Sequence, residues 1–280
     1  MPAQDGTVAG FQQVQRLYWF DGPNKKLIFM KGYGQFCPVA KAAEVLGERW
    51  TLLVVRELLC GSRHFNDLRR GVPRMSPTLL SKRLKELEQA GVIATRPTAQ
   101  PGIVERKPDR RNKQGMAYQL TAAGHELTPV VMMLGNWGQR WARSELKRED
   151  LDPALLMWDM HRRLNNENLP AQRTVLQFEF RDVPAKKRFW WLVIKRDEVD
   201  VCLKRPGYDV DVTITTRLKT LAGVWIGDVT LRDAVKQGQV ELQGPGELTR
   251  QLDSWLALSV FAKIPPAAAT PHVAGQGEPG

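Results

Sequence analysis

The stretch RMSPTLLSKRLKELEQAGVI, residues 74–93, carries the marks of a helix with two different faces. Ser76 stands where an N-cap side chain accepts a backbone N–H, and Pro77 takes the first helical position, where its missing N–H costs nothing. Leu80, Leu84 and Leu87 recur at helical spacing and form one apolar stripe, and Gly91 ends the run. Opposite that stripe stand Thr78, Ser81, Lys82 and Lys85, while the glutamates Glu86 and Glu88 come late. A solvated helix face ordinarily mixes both signs of charge. This one presents hydroxyls and cations together, which predicts an anionic partner.

The flanking sequence gives that helix a setting. PVAKAAEVL begins a helix at Pro38 and stops at Gly47; RWTLLVVRELL places Trp50, Leu53, Val54 and Leu58 on one helical face and ends before Gly61. SRHFNDLRR is a short third helix with Phe65 and Leu68 inward. After residue 91, GVIATRP reads as a strand and MAYQLT as its antiparallel return. The long loop between them holds Arg106, Lys107, Arg110 and Arg111. The stretch TAAGHELTPVVMMLGNWGQRWARSEL reads as one long apolar helix.

Helix, short helix, turn, helix and basic hairpin is the order of a winged helix-turn-helix, whose second helix enters the DNA major groove. Thr and Ser exchange hydrogen bonds with base edges, and Lys and Arg suit guanine or phosphate. The expected DNA-facing set is therefore Arg74, Ser76, Thr78, Ser81, Lys82, Arg83 and Lys85, with the four hairpin cations along the backbone or in the minor groove. The plain alternative is a solvated helix beside a basic loop. The ordered elements around it favour DNA.

Composition supports the same division. The chain has 280 residues, enough for two domains, and a net charge of +11. Residues 37–150 carry 20 Lys and Arg against 12 Asp and Glu, whereas residues 151–280 carry 17 against 16, so anion binding belongs to the first half. Mean hydropathy is −0.36 and the apolar runs, such as WWLVI, are too short to span a bilayer. Three scattered cysteines make neither a disulfide framework nor a zinc site, and no signal-peptide pattern opens the chain. A cytoplasmic protein is expected, without metal or cofactor.

The segment from Cys37 to about Trp141 closely resembles the HxlR-type branch of MarR-like bacterial regulators. The Cys-Pro opening, GERW, RHFNDLRR, MSPTLLSKRLKELEQAG and YQLTAAG fall in the family's order. The resemblance implies a homodimer on a palindromic operator, held together by its first helix and its long last one. The hairpin loop is longer and more basic than the family pattern. Some members use a cysteine at the position of Cys37 for redox sensing. Placed at a helix N-terminus, that thiol is suited to thiolate chemistry, and equally to packing as a small side chain. Residues 1–36 precede the usual family start, with Met30 as a conventional initiator, and are expected to be an extension, non-native or weakly ordered.

Past residue 150 the composition changes. TVLQFEFR, RFWWLVIK, EVDVCLK and DVDVTIT read as strands, RFWWLVIK being apolar on both faces. RLKTLAGVWIG and LRDAVKQG read as helices, QVELQG as a strand, and ELTRQLDSWLALSVFAKI as a closing helix. The expected class is α+β, a winged helix-turn-helix (residues 37–150) followed by an antiparallel-sheet domain (151–264), with a disordered tail at 265–280. The second half resembles sterol carrier protein type 2-like domains in its aspartate-flanked strand, its Gly227-Asp228 turn and AVKQGQVELQG. That resemblance implies an apolar tunnel for a fatty acyl chain or similar hydrophobe. Trp190, Trp191, Trp225, Trp255 and Phe261 are its candidate lining, or simply core. His161 and His272 stand alone and no catalytic set is evident, so no enzyme is expected. The rival readings are a lipid carrier that uses the winged helix to dimerise, and a thiol-sensing regulator acting through Cys37.

Overall fold

The computed structural model describes residues 32–97, 116–143, 146–164, 168, 170, 172–195 and 198–267. The hairpin cations Arg106, Lys107, Arg110 and Arg111, the expected extension up to residue 31, and the tail from residue 268 on, with His272, lie outside these residues.

Helix α1 spans Pro38–Leu46. Its N-terminal side is tied locally, Glu44 accepting the Tyr33 N–H and pairing with Lys41, both at 2.9 Å. The first domain is built on α2 (Thr51–Leu59), α3 (Phe65–Gly71), α4 (Pro77–Gln89) and the antiparallel pair β1 (Ile93–Pro97) and β2 (Met116–Leu120). Its core joins Val54, Val55 and Leu58 of α2, Leu68 of α3, and Leu80, Leu84 and Leu87 of α4. Leu53, expected inward, faces out, because Val55 takes the inner position beside Val54. Trp50 enters α2 in the left-handed region (φ 80°).

The long apolar helix expected after β2 is interrupted. A one-turn helix α5 (Ala122–His125) precedes α6 (Thr128–Trp137), and a π turn over Gly138–Ala142 follows. Pro129 is the physical reason: it has no N–H to donate and its ring opposes the carbonyl of residue 125. The Thr128 hydroxyl donates to that carbonyl instead, at 2.7 Å.

The second domain opens with α7 (Pro153–His161) and a five-stranded sheet in the order β5-β4-β3-β6-β7. The strands are β3 (Thr174–Phe180), β4 (Phe189–Lys195), β5 (Glu198–Cys202), β6 (Val212–Thr216) and β7 (Val240–Gln243). Helices α8 (Leu218–Ile226), α9 (Leu231–Lys236) and α10 (Gly246–Trp255) complete it. The sheet is mixed rather than wholly antiparallel, since β6 runs parallel to β3. The loop after β5 returns the chain to the far side of β3, where Asp211 exchanges hydrogen bonds with the Val175 backbone and sets the register.

Both faces of β4 are covered, as its sequence predicts. Trp190, Leu192 and Ile194 join the main core with α7, α8, α9 and α10, while Trp191 and Val193 meet Val175 on the other face. The closing helix stops at Trp255, well short of the expected residue 264. Trp255 is fully buried and Leu256 bridges to Leu164, so packing overrides the helical pattern. Among the described residues, no helix is long and apolar enough to cross a membrane.

Candidate nucleic-acid interface

Helix α4 is fixed from its ends and its back. Ser76 Oγ accepts the Leu79 N–H at 3.2 Å, Pro77 follows, and Gly91 (φ 73°) ends the helix in a conformation that suits glycine. With Leu80, Leu84 and Leu87 buried behind it, the helix holds Thr78, Ser81, Lys82 and Lys85 exposed on its opposite side, and Arg74 and Ser76 exposed at its start. Lys82 lies 3.8 Å from Glu86, one turn on. That pair is loose and solvated, so the ammonium can exchange its partner.

Arg83 lies elsewhere. Its side chain is 7% exposed, reaching Glu48 and Glu86 at 2.5 Å each and the Arg49 carbonyl at 3.3 Å. It belongs to an inward ion cluster on the side of the leucine stripe, and so leaves the expected DNA-facing set. Arg74 is exposed, but one guanidinium N–H donates to the Glu149 carbonyl at 3.1 Å, which ties the turn before α4 to the segment entering the second domain.

Helix α4 is backed by a joint that spacing along the chain does not reveal. Glu57 of α2 is fully buried; its carboxylate accepts from Arg56 and, across 105 residues, from Arg162, both at 2.7 Å. Ser62 donates to it at 3.4 Å, and Arg162 also pairs with Asp159 of α7. Burial alone would raise the Glu57 carboxyl, but the Arg162 hydrogen bond and the charges of Arg56 and Arg162 outweigh it and hold it below the usual range. Burial dominates at Asp159, whose carboxyl is pushed up. Gly71, ending α3, leaves room for this cluster: a Cβ there would stand 1.8 Å from a Glu57 oxygen. Arg70 and Arg162 lie over the Trp158 ring at 5.0 and 5.5 Å. Thus α7 grips α2 and α3, the helices that carry α4.

A second seam joins α6 to the far end of the chain. The Phe261 ring packs so closely on Gly135 that a Cβ would meet it at 2.1 Å. Gln139 donates to the Ile226 carbonyl at 3.3 Å, the Ala267 N–H to the Arg140 carbonyl at 2.8 Å, and Arg143 pairs with Asp228.

The five aromatic residues singled out as tunnel lining do not converge on one space. Trp190 and Trp191 are buried on opposite faces of the sheet, Trp255 is fully buried, Trp225 packs at the core's edge, and Phe261 covers α6. None borders the cavity of about 1080 Å³ that opens beside β6 and α8. Cys37, just before α1, has its thiol held below the ordinary range by the Ala40 and Val39 N–H groups.

An exposed polar helix in front of a three-helix core, with a two-stranded hairpin beside it, defines a winged helix-turn-helix DNA-binding domain. Residues 45–146 match the HxlR-like helix-turn-helix family, and residues 162–257 match the SCP-2 sterol transfer family. The chain belongs to the HxlR-like family of transcriptional regulators. It is 33% identical to the HTH-type transcriptional regulator YvaP of Bacillus subtilis (strain 168) over 108 residues, 38% of this chain and 90% of that protein. It is 37% identical over 105 residues to the HTH-type regulator Rv3095 of Mycobacterium tuberculosis (strain H37Rv), 37% of this chain and 58% of the relative. Among solved structures, the reduced form of the B. subtilis transcriptional regulator YodB aligns at 26% identity and a TM-score of 0.30, over 38% of this chain and 93% of that one.

Proposed function

We propose that the chain is a homodimeric transcription regulator that binds a palindromic operator in the cytoplasm and is modulated by a ligand of its second domain. The observation that carries the dimer is the apolar stripe of α6. Val130, Met133, Leu134 and Trp137 recur at helical spacing, and Trp141 extends them by one π turn. Each is more than 40% exposed, with Met133 at 67% and both tryptophans at 60%. A second copy related by a two-fold axis covers such a stripe with itself. It then presents two α4 helices to half-sites about one helical turn, or a multiple of it, apart. The SCP-2 match over residues 162–257 supports a hydrophobic ligand for the second domain.

Sedimentation velocity with operator titration tests the reading. The wild-type chain should sediment as a dimer, and Met133→Glu combined with Trp137→Glu should give a folded monomer with much weaker operator binding. A monomeric wild type that still binds the operator tightly would overturn it. A second reading, thiol sensing through Cys37, draws on the N–H groups that favour its thiolate. Under that reading, Cys37→Ser would abolish any response of operator binding to oxidant.

A further inference from the structure

The cavity beside β6 and α8 has a chemistry different from that of a lipid tunnel. Its volume is about 1080 Å³, and among the described residues its wall carries four cations, Arg143, Arg181, Arg217 and Lys219, against two carboxylates, Asp182 and Asp228. The cations come from three separate parts of the chain: the end of the π turn, the end of β3, and the β6–α8 corner. Both carboxylates are engaged, Asp228 by one of the wall's own cations. Asp182 accepts the Leu218 N–H at 2.6 Å, and Asp228 pairs with Arg143. Arg181 is held by Glu241 in a two-pronged pair at 2.8 Å, which leaves other guanidinium N–H groups for a second acceptor.

We infer that this cavity binds a small organic dianion, either a dicarboxylate or a phosphate monoester. Among the described residues the wall carries two more cations than carboxylates, one of them, Arg181, shared with Glu241, and arginine forks suit both groups in a two-pronged geometry. The site bridges the two halves, because Arg143 extends the α6 segment and Arg217 and Lys219 belong to the second domain. An incoming anion competes with Asp228 for Arg143 and so acts on one of the ties between the segment after α6 and the turn after α8. The inference rests on the regulator reading for its consequence on DNA, but binding at the cavity is measured without DNA.

Calorimetric titration of the full chain with 2-oxoglutarate and with glycerol 3-phosphate tests it, with sodium octanoate for comparison. At least one dianion should bind saturably and more tightly than octanoate, and the tighter of the two names the source. Arg217→Gln should weaken it about tenfold, the loss of one charge-assisted contact. Thr220→Trp, which fills the cavity from α8, should abolish it. No saturable binding by either dianion, or equal affinity in both folded variants, would overturn the site. Tighter binding of octanoate would overturn the ligand class. Operator binding by the wild-type chain, measured with no dianion present, settles the regulator reading separately.

Discussion

Ser81 and Lys82 stand beside Arg83 in sequence, yet the helix sends the first two outward and buries the third. Their substitutions should separate accordingly. Ser81→Ala or Lys82→Ala should cost about 1–3 kcal/mol of operator binding where the side chain contacts a base, with much less effect on random DNA. Equal losses on both DNAs would restrict these residues to phosphate. Arg83→Met should leave the charge of the outward face intact and instead lower folding stability. A cost of about 2 kcal/mol is expected, below the range for a fully buried pair because Glu48 is half exposed. The measurement is a urea melt beside the DNA titration; an unchanged midpoint with weakened binding would return Arg83 to the DNA.

At the scale of elements, the seam between α6 and Phe261 has a sharp test. Gly135→Leu should dislodge the Phe261 ring, costing about 1–3 kcal/mol for overpacking, and free the segment after α10 for proteolysis. A cleavage pattern like that of the wild type would show that the ring is not held there. Helix α4 was legible in the sequence because its signals are local: Ser76 and Pro77 at one end, Gly91 at the other, and leucines at fixed spacing. The strands were legible for the same reason, β4 through its unbroken apolar run. Three features were not. The break at Pro129 was outweighed by the apolar residues around it, the early end of α10 depends on the burial of Trp255, and the parallel placement of β6 depends on where a loop lands. The outward face of α4 could be read from periodicity, but periodicity alone could not tell that Arg83 finds Glu48 on another segment. The tunnel aromatics were read by type, and residue type does not distinguish a core from a lining.

Across the whole molecule, the two halves meet at ionisable groups, so acid should loosen them together. Burial, with Arg162 and Arg70 nearby, depresses His161 from 6.5 to about 4, against the pull of the Trp158 carbonyl and Asp200. A folded pKa below the unfolded one means that the unfolded chain holds the proton more tightly. The His161 contribution is therefore complete above about 6.5 and is lost as pH falls toward about 4, on the order of a few kcal/mol. Glu57 acts with the same sign at lower pH, through its depressed folded value, while the raised Asp159 opposes it. His161→Phe should flatten the stability profile between pH 4 and 6.5; a profile as steep as the wild type's would remove His161 from this account. The buried Glu57 has one more consequence. One of its two cations, Arg56, is its neighbour in sequence, but the other arrives from the opposite half of the chain. A protein cut after Asp150 would keep the carboxylate and lose Arg162, so its reading domain should melt at a lower temperature than it does within the intact chain. Scanning calorimetry of the full length should accordingly trace a single endotherm, with neither half surviving the other's unfolding.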